Sequence, residues 1–194
     1  MIDGYIQFIS HASALIWLFI LLKQYKKEFF VLFLLLNLST VIAFIMWFVF
    51  RYNTNAPMIF FALLIILELT KKNFPGTKSK ILFVTASLAV SLFFLFADLP
   101  LTSMSVIIIV CLVITVLFIR KIVLSLAHKA ELNFIHLLLL LYFLTVLFKL
   151  NNALLGSGFG MYYFLIFEIL HILFGISFCF VTEETKVFRV KGLA

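Results

Sequence analysis

Residues 159–181 read FGMYYFLIFEILHILFGISFCFV, an apolar run long enough to cross a bilayer. An acid and an imidazole, Glu168 and His171, stand near the middle of this run. On a helix, side chains three positions apart share a face. Because ionisable groups at membrane depth are costly and mark functional sites, the stretch predicts a transmembrane helix that carries a buried polar site.

The composition of the whole chain indicates the same class of protein. Of its 194 residues, 65% are hydrophobic and 12% are charged, whereas a soluble domain is about 45–50% apolar and about 25% charged. A chain this apolar has too little polar surface to cover a globule in water. We therefore predict an all-α integral membrane protein, with one transmembrane domain over residues 1–181 and a short cytoplasmic tail over residues 182–194.

Seven apolar runs are candidates for spanning helices. They cover residues 5–22, 29–50, 56–69, 81–97, 101–119, 134–150 and 159–181. The first run lacks the basic start and the cleavage site of a signal peptide, so we expect it to remain as a helix. The third run is short, and it can span if neighbouring residues join it or if the bilayer thins locally.

The positions of the basic residues predict the orientation of the bundle. Of the 15 Lys and Arg residues, 13 fall in the connections after the first, third and fifth runs and in the tail. Only Arg51 and Lys149 fall on the other side. By the positive-inside rule, the N-terminus is outside and the C-terminus is cytoplasmic. Frequent Phe, Ile and Lys are typical of an A/T-rich bacterial genome, so we expect the plasma membrane of a bacterium, its inner membrane.

The net charge of +7 is interpreted in the same way. It sets the orientation and contacts anionic lipids at the cytoplasmic face, so no nucleic-acid partner is predicted. Two cysteines, Cys111 and Cys179, lie inside apolar runs and are expected to be small buried hydrophobes. We also expect Glu68 to pair with the lysines that follow it, and His136 to reach toward the cytoplasmic surface.

Six polar residues are candidates for one site at the middle of the bilayer. In a ring of seven helices wound in chain order, the first, second and seventh helices are neighbours. An unpaired polar group in hydrocarbon costs several kcal/mol, so these residues are expected to pair with one another. The predicted site residues are His11, Asn37, Ser39, Thr40, Glu168 and His171.

Three interpretations of this site remain open from the sequence. The site is a structural hydrogen-bond clamp between helices, a ligand or proton site for sensing or transport, or a haem or metal centre held by His11 and His171. Di-iron bundles need two Glu-x-x-His motifs and two further Glu residues, whereas this chain has one such motif. No cofactor is therefore predicted.

The sequence contains no soluble-enzyme signature: no G-x-S-x-G, no phosphate loop and no His-x-x-x-His. We therefore expect a non-catalytic sensor, signalling or regulatory module that works with a partner protein or as a homo-oligomer. The alternatives are a small proton-coupled transporter, an intramembrane haem or metal protein, and an accessory subunit of a larger membrane complex.

Overall fold

The computed structural model describes residues 13, 15–50, 54–74, 76–97, 99–129, 131–156, 160–181 and 188–189. About 90% of these residues are helical, which agrees with the predicted all-α class. The chain divides into two compact units, Met1–Phe30 with Thr115–Ala194 and Val31–Ile114.

Seven helices follow one another along the described part of the chain. The first, α1, includes residue 13 and residues 15–23. The later helices are α2 (Phe30–Ile45, continued by a π-helical turn, Met46–Phe50), α3 (Asn55–Thr70, followed by a 3₁₀ turn, Lys71–Asn73), α4 (Thr77–Phe96), α5 (Pro100–Lys129), α6 (Phe134–Leu155) and α7 (Gly160–Phe180).

Two helices are longer than the apolar runs that predicted them. Helix α5 has 30 residues and continues to Lys129, because no Gly or Pro interrupts the chain after residue 119 and a helix does not need apolar residues to propagate. Helix α6 continues to Leu155 and ends at Gly156, whose φ of 59° is left-handed. Glycine adopts this conformation at no steric cost and commonly ends helices.

Four helical segments are long and apolar enough to cross a membrane, judged by length and composition over the described residues. They are Phe30–Phe50, Thr77–Phe96, Pro100–His128 and Phe134–Leu155. In each of them no more than 39% of the most apolar stretch is buried. Apolar helices with so little of their surface covered by protein are typical of chains whose solvent is lipid, so the structure supports membrane association.

The first unit packs α1, α6 and α7 together with the last part of α5. Helix α7 runs antiparallel to α6, since Tyr163 bonds to Phe148 near one end and His171 bonds to Tyr142 further along. Helix α1 runs parallel to α7. The buried side chains of this unit include Trp17, Ile20, Phe29, Phe118, Ile135, Leu139, Tyr142, Phe143, Phe167 and Phe178.

A two-stranded antiparallel ladder joins the tail to the connection between α5 and α6. Strand β1 is Glu131–Leu132 and strand β2 is Phe188–Arg189. Their register pairs Glu131 with Arg189 and Leu132 with Phe188. The sequence predicts no strand here, but it assigns both segments to the same side of the membrane, and the ladder brings them together.

The second unit is joined at one end by polar side chains. Helix α3 packs against α4, and the Ser91 hydroxyl donates to the carbonyl of Ala56 at 2.6 Å. The Asn55 amide donates to the Ser103 hydroxyl at 2.9 Å. Ser91 and Ser103 are buried. Such bonds replace the hydrophobic effect as the attraction between helices in lipid, since lipid tails are as apolar as leucine.

Three smaller predictions have different outcomes. The Glu68 carboxylate pairs with Lys71 at 2.6 Å, as predicted. Both cysteines are free, but Cys111 is buried and Cys179 is partly exposed. His136 is half-buried, and both of its ring nitrogens are buried and have no hydrogen-bond partner among the described residues.

Candidate functional site

The His171 imidazole is the centre of a polar cluster that three helices share. Its Nδ1 lies 3.4 Å from the Ser13 hydroxyl on α1, and its Nε2 lies 3.0 Å from the Tyr142 hydroxyl on α6. Ser13 and Tyr142 are buried. A hydroxyl both donates and accepts, so these two partners can satisfy either neutral form of the imidazole.

Aromatic rings enclose this imidazole. The Trp17 ring stacks on it with centroids 4.8 Å apart, and the Tyr142 ring stacks on it at 5.3 Å. Phe178 meets both Trp17 and Tyr142 edge-on. Offset stacks and edge contacts of this kind stabilise by about 0.5–1.5 kcal/mol per pair beyond the burial of their area. The imidazole is therefore held in a fixed orientation among apolar surfaces.

Helical spacing explains why these side chains meet. Ser13 and Trp17 are four residues apart on α1, and His171 and Phe178 are seven apart on α7, so each pair lies on one face of its helix. Gly175 lies between the latter two. A Cβ at this position would lie 2.6 Å from the Cγ2 atom of Ile16, so glycine permits the close approach of α7 to α1.

An ion pair lies one helical turn before His171. The Lys149 ammonium on α6 is 3.0 Å from the Glu168 carboxylate on α7. The Glu168 side chain is 11% exposed and that of Lys149 is 42% exposed. A charge pair that is largely buried on one side costs desolvation, and its contribution depends on both partners remaining in place.

Gln24, just after α1, bonds to the end of α7. Its side-chain amide donates to the carbonyls of Phe178 at 2.8 Å and Val181 at 3.0 Å. Gln24 is fully buried. The last four carbonyls of a helix have no partner within it, so this amide satisfies groups that would otherwise be buried at a cost. It fixes the point from which the tail leaves α7.

The predicted residues on α2 make local bonds. The Asn37 amide donates to the carbonyl of Phe33 at 2.9 Å, and the Thr40 hydroxyl donates to the carbonyl of Leu36 at 3.1 Å. Asn37 is buried, Ser39 half-buried and Thr40 exposed. These three residues belong to the second unit, whereas Glu168 and His171 belong to the first.

His11 lies outside the described residues. No group of three or more His, Cys, Asp or Glu side chains that could hold a metal occurs in the part of the chain that the structure describes. Coordination of haem iron by His171 Nε2 would require that nitrogen to leave Tyr142. Its position in the cluster therefore favours a hydrogen-bonding role for the imidazole.

Comparisons with protein-family models, with curated proteins and with solved structures find no match. The contacts around His171 therefore carry the functional argument.

Sequence reasoning did not select several residues that complete the cluster. They are Ser13, Trp17, Gln24, Tyr142 and Lys149. One signal was available: Tyr142 is the only polar side chain between His136 and Thr145 in its apolar run. A polar group in the middle of a spanning segment usually faces a partner helix.

Proposed function

We propose that this chain is a non-catalytic membrane sensor or regulatory module that acts with a partner protein. In this proposal it has seven spans, with its N-terminus outside and its C-terminus in the cytoplasm. The observation that carries the proposal is the half-buried imidazole of His171, which is hydrogen-bonded to α1 and α6 and lies one turn from an ion pair.

The topology is supported by helix directions within the first unit. Helices α1 and α7 run parallel, which requires an odd number of crossings if both span, and the distribution of basic residues favours seven. The β1–β2 ladder joins two segments that the charge pattern assigns to the cytoplasm. Both observations agree with an orientation in which the N-terminus is outside and 13 of the 15 Lys and Arg residues face the cytoplasm.

The chemistry of the imidazole supports sensing. A neutral imidazole donates from one nitrogen and accepts at the other, whereas an imidazolium donates from both. If His171 were protonated, the hydroxyls of Ser13 and Tyr142 would both have to accept a hydrogen bond from it. The positive charge would also lie between the aromatic rings that stack on the imidazole. The charged groups that face this part of α7 are Lys149 and Glu168, which already neutralise each other. A protonated state would therefore favour a different packing of the three helices.

In this proposal, a change in this packing is transmitted through Gln24 and the end of α7 to the β1–β2 ladder, which we assign to the cytoplasmic side. Gln24 holds the end of α7 through two carbonyls. The tail then pairs with Glu131–Leu132 through Phe188–Arg189. A shift of α7 relative to α1 would strain the Gln24 bonds and alter the ladder, which is the surface that we assign to a partner.

The test measures amide hydrogen exchange of residues 188–189 in lipid vesicles at pH 8 and pH 4. Protection factors, which are corrected for the intrinsic pH dependence of exchange, report opening of the ladder. We expect them to fall at pH 4 in the wild type and to fall much less in His171→Gln. His128→Gln is the matched control, because His128 is exposed on α5, and it should behave as the wild type.

Retention of the full pH response by His171→Gln would overturn the sensing assignment. A second candidate, a proton-coupled carrier, is favoured by the Lys149–Glu168 pair, since ion pairs within spanning helices also mark proton pathways. Proton flux in proteoliposomes that Glu168→Gln abolishes would select the carrier over the sensor.

A further inference from the structure

An open apolar groove lies between α1 and α7 on the surface of the first unit. Its volume is about 340 Å³, at the lower end of the range of about 300–1,000 Å³ for small-molecule sites. The lining side chains are Leu15, Ile16, Phe19, Ile176, Cys179 and Phe180. Phe180 is 79% exposed and Leu15 is 68% exposed, so the groove opens to the surroundings of the helices.

Gly175 sets the depth of this groove. Because a Cβ at Gly175 would lie 2.6 Å from the Cγ2 atom of Ile16, the two helices touch there. Their larger side chains stand on either side of the contact, with Phe19 on α1 and Ile176 on α7. Contact of the Ile16 side chain with the backbone of Gly175, with bulky residues flanking it, leaves a furrow on the surface of the two helices.

One cation, Lys23, lies at the edge of the groove. The Lys23 ammonium lies over the ring of Phe19, 5.7 Å from its centroid, and Phe19 lines the groove. Lys23 is exposed. An apolar furrow with a cationic mouth is complementary to an amphiphile that has an anionic head.

We propose that the groove binds an acyl chain of an anionic phospholipid, with the lipid phosphate against Lys23. The proposal rests on the membrane placement argued above and not on the sensing role. An acyl chain gains little hydrophobic free energy by leaving bulk lipid for this groove, because both surroundings are apolar. Selectivity must therefore come from the head group, and one lysine near an anionic lipid is expected to contribute about fivefold in affinity.

Quenching of tryptophan fluorescence by brominated lipids tests this site. The chain has two tryptophans, and Trp47→Phe leaves Trp17 as the only reporter, directly beside the groove residue Ile16. In this background, brominated phosphatidylglycerol should quench with an apparent affinity about fivefold above that of brominated phosphatidylcholine. Lys23→Gln should bring the ratio close to one. Lys78→Gln, which removes an exposed lysine of α4, should leave the ratio unchanged.

Two outcomes would overturn the proposal in distinguishable ways. Equal quenching by the two lipids in the Lys23-containing protein would remove the head-group site, because lipid would then enter the groove without selectivity. Absence of quenching by both lipids would mean that no lipid chain occupies the groove beside Ile16, and it would point to another helix as the occupant. A second variant, Ile176→Phe, fills the groove at a position that is 42% exposed, and it should weaken quenching by brominated phosphatidylglycerol.

Discussion

The hydrogen bond between Tyr142 and His171 can be removed without disturbing the rings. Tyr142→Phe keeps the ring that stacks on the imidazole at 5.3 Å and deletes only the hydroxyl that lies 3.0 Å from Nε2. A typical hydrogen bond contributes about 0.5–1.5 kcal/mol net, and a buried polar atom left unsatisfied costs about 1–3 kcal/mol. We therefore expect the free energy of unfolding to fall by about 1–3 kcal/mol.

The assay is reversible unfolding by SDS in mixed micelles, followed by circular dichroism and extrapolated linearly to zero denaturant. Tyr163→Phe is the matched control. It deletes a hydroxyl that bonds at 3.1 Å to the exposed carbonyl of Phe148, and water can replace that bond, so the expected change is within about 0.5 kcal/mol.

A double-mutant cycle with His171→Leu isolates the bond itself. Residues in direct contact show coupling free energies of about 0.5–3 kcal/mol, and we expect a value in this range for Tyr142 and His171. Equal destabilisation by Tyr142→Phe and Tyr163→Phe, or a coupling free energy of zero between Tyr142 and His171, would contradict the role of the His171 cluster in holding α6 against α7.

Three further substitutions probe other contacts of the first unit. Gln24→Leu should destabilise by about 1–3 kcal/mol and speed amide exchange at the end of α7, and unchanged exchange would contradict its role there. Lys149→Met should destabilise by about 1–3 kcal/mol because it strands a largely buried carboxylate, and adding Glu168→Gln should restore part of this loss. Gly175→Ala should destabilise by about 1–3 kcal/mol through overpacking against Ile16, measured by the same SDS titration, with Ile16→Ala as the relieving partner.

The sequence predicted which face of α7 carries polar side chains, but it did not identify the residues that those side chains contact. The spacing of Glu168 and His171 predicted a shared polar face, and both side chains do turn toward α6. It did not reveal that the carboxylate pairs with Lys149 and the imidazole with Tyr142. The run that predicts α6 ends at residue 150, so Lys149 was placed at the outer end of the helix, whereas the helix continues to Leu155.

The strand in the C-terminal tail was also not predictable from the sequence. Residues 182–194 carry the charges of a cytoplasmic segment, but no alternation marks a strand in them. The pairing of Phe188–Arg189 with Glu131–Leu132 depends on where α5 and α7 end in space, because a two-residue strand gains its stability from its partner and not from its own propensity.

By itself, the sequence indicated membrane association and predicted the number and order of the helices, but not where each helix ends. Apolar content and helical periodicity are local quantities, and they set the number of helices, their type and the faces that carry polar groups. Only the tertiary structure decided how His171 is satisfied, which cation meets Glu168 and where Gln24 reaches. Those choices depend on the rotation and the crossing of helices about 150 residues apart in the chain, and a few side chains such as Gly175 decide them by permitting or preventing close approach.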